Sequence, residues 1–132
     1  MRFLDQDAAR AARAGTTKAR GDRAEDEALA FLQARGLRLL ERNYRTPGRG
    51  GGEIDLILRE PDGTVVFVEV RQRSHSAFGG AGASIGAVKR RRIVFAAHHY
   101  LLRWRALPPA RFDVVLIESG GPLWLRAAFD AA

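Results

Sequence analysis

Glu53, Asp55, Glu69 and Arg71 alternate with apolar residues in two short runs, GEIDLI (residues 52–57) and VFVEVR (residues 66–71). A Pro-Asp-Gly-Thr turn, Pro61 to Thr64, separates the runs. Alternation by two makes each run a strand, with Ile54, Leu56, Leu58 and Val66, Val68, Val70 on one apolar face and the charged residues on the other. Folded symmetrically about Asp62, the hairpin sets Asp55 opposite Glu69 and Glu53 opposite Arg71. Directly opposed residues have Cβ atoms roughly 4.5–5.5 Å apart, where like charges destabilise a sheet. A cation between the carboxylates relieves that penalty, and an oxygen-rich, partly hydrated site suits Mg²⁺ or Mn²⁺. A slip of one residue would turn one carboxylate to the opposite face, so the chemistry depends on register.

The elements that must hold this hairpin follow from periodicity and punctuation. Residues 1–20 are rich in Ala and Arg and read as a basic N-terminal helix or tail, with one α/β domain over residues 21–132. A helix runs from about Asp22 to Arg35 and stops at Gly36. Leu37 to Arg45 reads as a strand, and Pro47–Gly52 as a mobile lip beside the site. After the hairpin, residues 74–83 form a Gly/Ser/Ala loop, and Ser84 caps a helix reaching about Trp104. Pro108 and Pro109 end that region. Arg111 to Glu118 is nearly all apolar, as a central strand should be, and Leu123 to Phe129 adds a last strand. Helices covering a small mixed sheet, an α/β sandwich, are the expected architecture.

At about 100° per residue, Ala24, Ala28, Leu29, Phe31 and Leu32 make one stripe of the first helix, and Glu25 falls inside it. A carboxylate on the sheet-facing side needs a partner. One reading gives it the metal held by Asp55 and Glu69. The other gives it a capping box, with Asp22 as N-cap and Glu25 closing the first turn.

Bulk composition narrows the partners. The chain has 132 residues, 22 Lys+Arg against 15 Asp+Glu, and a formal charge of +7. Its isoelectric point near 11.1 favours polyanions, nucleic acid first and anionic membrane second. No segment approaches the ~20 apolar residues of a membrane span, and Met1 to Gly15 lacks the apolar stretch of a secretion signal. The absence of cysteine excludes disulfides, thiolate metal sites and Cys nucleophiles. A cytoplasmic location is the expectation.

The blocks GDRAEDEALAFLQARG, RNYR, GEIDLI, VFVEVR, Lys89 and RFDVV, in that order, resemble the YraN-like family of bacterial proteins. That family is similar to the restriction-endonuclease-like PD-(D/E)XK nucleases, including archaeal Holliday-junction resolvases. The resemblance runs from about Gly21 to Phe129 and implies the restriction-endonuclease-like fold. It assigns Glu25 to the acid of the first helix, Asp55 to the Asp and Glu69 to the Glu of the nuclease pattern. Those three acids are the implied metal ligands, for Mg²⁺ or Mn²⁺, and with Arg71 the implied catalytic set. Arg71 stands where the pattern usually has Lys. Arginine stays protonated and cannot act as a base, though it can hold a phosphate oxygen bidentately. Its other reading is an ion pair with Glu53. Lys89 is a candidate for the missing amine. By the same analogy, junction resolvases of this fold form homodimers.

Lys89-Arg90-Arg91-Arg92 is the densest positive run. Four consecutive helical residues fan around the axis, so about two can face phosphate and the rest are solvated. Together with Arg42, Arg45, Arg49, Arg71 and Arg73, the run makes a phosphate-binding surface. His98 and His99 diverge by about 100° on the helix, a poor geometry for a metal pair. Asp113 reads as a lone acid in an apolar strand, capping or pairing with Arg111, and Phe112, Trp104 and Trp124 as core. Two functions compete: a metal-dependent endonuclease acting on DNA, branched or single-stranded structures included, and a non-catalytic nucleic-acid-binding protein that keeps the nuclease fold. An interaction module whose acidic hairpin meets a basic partner is a third.

Overall fold

The turn at Pro61–Thr64 sets the register of everything around it. Gly63 takes φ +96°, which only glycine adopts without strain. Asp62 Oδ1 accepts from the Thr64 amide at 2.9 Å, and Glu60 N donates to Thr64 O at 2.9 Å. The computed structural model describes residues 17–48, 51–72 and 85–131, with side chains from Gly21 onward. Among them lie helices α1 (Thr17–Ala34) and α2 (Ala87–Leu101) and strands β1 (Arg38–Arg45), β2 (Glu53–Arg59), β3 (Val65–Gln72), β4 (Ala110–Glu118) and β5 (Gly121–Phe129). The strands form one sheet in chain order. Only β3 and β4 run parallel, joined across α2; the other neighbours are antiparallel. The result is a five-stranded mixed α/β sheet with two helices, consistent with a small nuclease-like fold.

Each helix covers one face. Ala24, Ala28 and Leu32 of α1 pack on Leu56, Leu58, Val66, Val68, Val115 and Ile117. On the other face Ile93, Ala96, Ala97 and Tyr100 of α2 meet Ile57, Val65, Phe67 and Phe112. Burying a Leu or Phe side chain stabilises by about 1.5–3 kcal/mol, so these two clusters hold the sheet between its helices. Val65 to Glu69 are buried without interruption, because β3 is covered on both sides.

Three expectations change. Helix α1 begins at Thr17, five residues before Asp22, so Asp22 is not its N-cap and the capping box around Glu25 does not form. Gly21 lies inside the helix and does not stop it. Helix α2 begins after Gly86, which makes no side-chain cap, and ends at Leu101 rather than about Trp104; Ser84 lies outside the described residues. Finally, Ile54 does not share a face with Leu56 and Leu58. It packs with Tyr44 against α2, while Leu56 and Leu58 pack against α1. The switch occurs between the pairs Arg42↔Leu56 and Tyr44↔Ile54, where Asn43 adopts a left-handed φ of 52° and breaks the pleat.

Candidate functional site

The β2–β3 ladder runs in the expected register as far as Leu56↔Val68. One step further, at Asp55 and Glu69, the acid side chain takes over from the ladder. Asp55 Oδ2 accepts the Val70 amide at 2.8 Å. Its carboxyl also shares a hydrogen bond with Glu69, so the two acids meet on the α2 side as the alternation requires. Burial first, then the charge and hydrogen bond of Glu69, push the Asp55 carboxyl up to about 8. The Val70 amide opposes the shift, and the more distant charge of Glu25 adds to it. Glu69 is 5% exposed. Its Oε2 is paired with Nζ of Lys89, which reaches in from the first turn of α2.

These residues line an open cleft of about 890 Å³. Its lining carries the acids Glu53, Asp55 and Glu69 interleaved with the bases Arg45, Lys89 and Arg92. Gly48, Gly51 and Gly52 also line it, and Gly52 is pinned rather than free. Gly52 N donates to Thr46 Oγ1 at 3.0 Å, and Thr46 N donates to Gly52 O at 3.2 Å. A Cβ on Gly52 would stand 2.1 Å from the Arg92 carbonyl oxygen, so the loop touches the α2 backbone directly.

Glu25 stands apart from the pair. Its Oε1 is buried without a hydrogen bond, 3.5 Å from Arg42 Nη2, while Arg42 Nη1 pairs with Asp26 at 2.8 Å. Burial raises the Glu25 pKa, and Arg42 and Asn43 only partly offset it. Among the described residues, no three His, Asp or Glu side chains gather closely enough to enclose an ion. A buried carboxylate (Glu69) and a half-buried one (Asp55) in hydrogen-bond contact remain, and Mg²⁺ characteristically takes one or two carboxylates with water completing its shell. The donor set fits such an ion.

The basic run divides across α2. Lys89 and Arg92 line the acidic cleft. Arg90 and Arg91 line a second groove of about 790 Å³ on the far side, with Phe95, His98 and Phe129. His99 instead bonds Tyr44, 2.5 Å from Nδ1 to the phenol oxygen, so the two histidines diverge as expected. Arg45 pairs with Glu53 at 3.2 Å, Arg42 is engaged on α1, and Arg71, two residues beyond Glu69, shares its face by alternation. Arg49, Arg73 and His75 lie outside the described residues.

A model of the uncharacterised protein family UPF0102 matches residues 24–117. The chain belongs to that family, the YraN family. Among its relatives, a UPF0102 protein of Paracidovorax citrulli is 73% identical over 121 residues, 92% of this chain and 90% of its own. Another, from an Acidovorax species, is 68% identical over 132 residues, the whole of both chains. The UPF0102 match spans Glu25, Asp55, Glu69 and Lys89 and stops short of β5. Two participants were not anticipated in their roles. Asn43 lies between the β1–β2 pairs that flank Asp55, and Asn is a residue that tolerates φ > 0, which is the signal its position offered. The Lys89–Glu69 contact depends on how α2 packs on the sheet, and no spacing announces it.

Proposed function

We propose that this UPF0102 protein is a cytoplasmic, divalent-metal-dependent endonuclease acting on DNA, branched or single-stranded structures included. The reading rests on one observation: Asp55 and Glu69 converge in a cleft that Arg45, Lys89 and Arg92 also line. A binder of polyanions gains nothing from two carboxylates turned toward a phosphate backbone, whereas a metal-dependent hydrolase needs them.

In this reading Asp55 and Glu69 hold the ion, and Glu25 contributes its charge from α1. Mg²⁺ or Mn²⁺ there supplies an activated water at neutral pH and stabilises charge on the scissile phosphate. Arg45 and Arg92 bind neighbouring phosphates, and their contribution falls steeply with salt. Arg71 holds a phosphate oxygen and offsets charge that develops on it, without taking a proton.

The same arginine favours a second reading. Where the nuclease pattern has Lys, Arg71 removes a titratable amine, as expected of a nucleic-acid-binding protein that keeps the fold without the activity. Plasmid and branched DNA incubated with Mg²⁺ or Mn²⁺ separate the two. The nuclease cuts; Asp55→Ala and Glu69→Ala abolish cutting and retain salt-sensitive DNA binding. Normal cutting by both variants ends the assignment, and binding without cleavage under any divalent ion establishes the second reading.

A further inference from the structure

The chain carries 20 arginines and only two lysines, Lys18 and Lys89. Arginine has even taken position 71, yet the amine at position 89 remains, and its Nζ is paired with Oε2 of Glu69. The pairing is unequal. The Glu69 side chain is 4% exposed while that of Lys89 is 50% exposed, so a surface stem carries one charge down to a buried acid. A guanidinium would grip such a carboxylate with a planar fork of donors, whereas an ammonium is a compact point charge on a flexible four-carbon stem.

We infer that Lys89 is a built-in counter-ion for the Asp55–Glu69 pair, seated where a divalent cation would bind, so that cation uptake and the Lys89–Glu69 contact exclude one another. The inference rests on the metal-dependent reading and deepens it. Burial leaves Glu69 in need of a positive partner in the protein without metal, and Lys89 meets that need from the adjacent helix. An arriving divalent ion offers more charge to the same oxygens, and the ammonium swings out on its own stem into the cleft it already lines. Released, it faces the groove in which a phosphate backbone would lie. Lys89 is thus a positioning residue that protects the acid pair when no ion is present.

Mn²⁺ titrated calorimetrically into the wild-type chain, Lys89→Met and Lys89→Arg tests this. Loss of the competing charge is expected to tighten Mn²⁺ binding about tenfold in Lys89→Met, and Lys89→Arg, which keeps the charge, should show no such gain. A second measurement needs no variant affinity. With two lysines in the chain, reductive ¹³C-methylation yields a sparse spectrum, in which the Lys89 signal is the one missing from Lys89→Arg. That signal should move on addition of Mg²⁺ as its partner is taken. Unchanged or weaker Mn²⁺ affinity in Lys89→Met, or a Lys89 signal indifferent to saturating Mg²⁺, overturns the inference while leaving metal binding by the wild type intact. Absence of Mn²⁺ binding by all three proteins removes the metal reading itself, and the inference with it.

Discussion

Two buried acidic centres sit one step apart along the β3–β4 ladder, on opposite faces of the sheet, and they are built on opposite principles. On the α1 face Asp113, fully buried, has both oxygens engaged. Arg111 Nε donates to Oδ1 at 3.0 Å and Oδ2 at 3.1 Å, Trp124 Nε1 to Oδ2 at 2.9 Å, and the Ala127 amide to Oδ1 at 2.9 Å. Arg111 and Arg126 are in turn shared with Glu60. On the α2 face Asp55 and Glu69 confront each other, with one backbone amide and one lysine between them. A satisfied buried carboxylate is a structural clamp. Two carboxylates left to share a proton or a cation cost stability, and such a cost is expected where a site must accept a ligand.

The sharpest way to break the contrast is to remove an acid from each centre. Asp113→Ala strips the Trp124 and Ala127 donors of their acceptor and leaves Arg111 with a buried face unpaired. It should cost about 3–5 kcal/mol, read by urea denaturation. Asp55→Asn should do the reverse in metal-free buffer. The Asp55 carboxyl titrates near 8 in the folded chain against 3.8 for the ordinary acid. Between those values the folded protein holds a proton that the unfolded chain has released, so stability falls as pH rises from about 4 to about 8 and is flat above. An amide that never ionises escapes this loss, and Asp55→Asn should gain about 2–3 kcal/mol at pH 8.5 with little gain near pH 4. Thermal melts across that range decide it; a variant less stable than wild type at pH 8.5 contradicts the account of the pair.

Two smaller effects refine the comparison. Ala127, whose amide serves Asp113, sits at φ 50°. Ala127→Gly relieves that conformation and should stabilise by about 0.5–1 kcal/mol in chemical denaturation. A destabilising result would mean that the Ala methyl packs more usefully than its backbone is strained. The exposed Arg45–Glu53 pair at the cleft rim should contribute least: Arg45→Ala shifts the melting free energy by less than about 0.5 kcal/mol, and any larger loss assigns that rim a structural role.

Much of this was legible from residue types alone. The Pro-Asp-Gly-Thr turn dictates the hairpin register through Leu56↔Val68, which leaves Asp55 and Glu69 as the next residues along the two strands. The near-continuous apolar run after Arg111 marks a strand covered on both sides. What could not be read came from contacts distant in the chain. Ile54 changes face because Asn43, on another strand, breaks the pleat beside it. The start of α1 was obscured by a Gly-Asp pair that looks like a beginning and lies inside the helix. Glu25 sits within the apolar stripe as its angle requires, yet its ion pair with Arg42, rather than a place beside Asp55, follows from the packing of α1 over β1.

Gly52 sets a mechanical limit on this site. Because its α-carbon carries only hydrogen, the chain entering the strand that bears Asp55 and the helix bearing Lys89 meet main chain to main chain at the Arg92 carbonyl. Spacing between those two stretches of main chain is then set by peptide geometry, whatever the Lys89 stem does above it. Any residue other than glycine there would wedge the two walls apart, and the separation of charges across the cleft would grow with it.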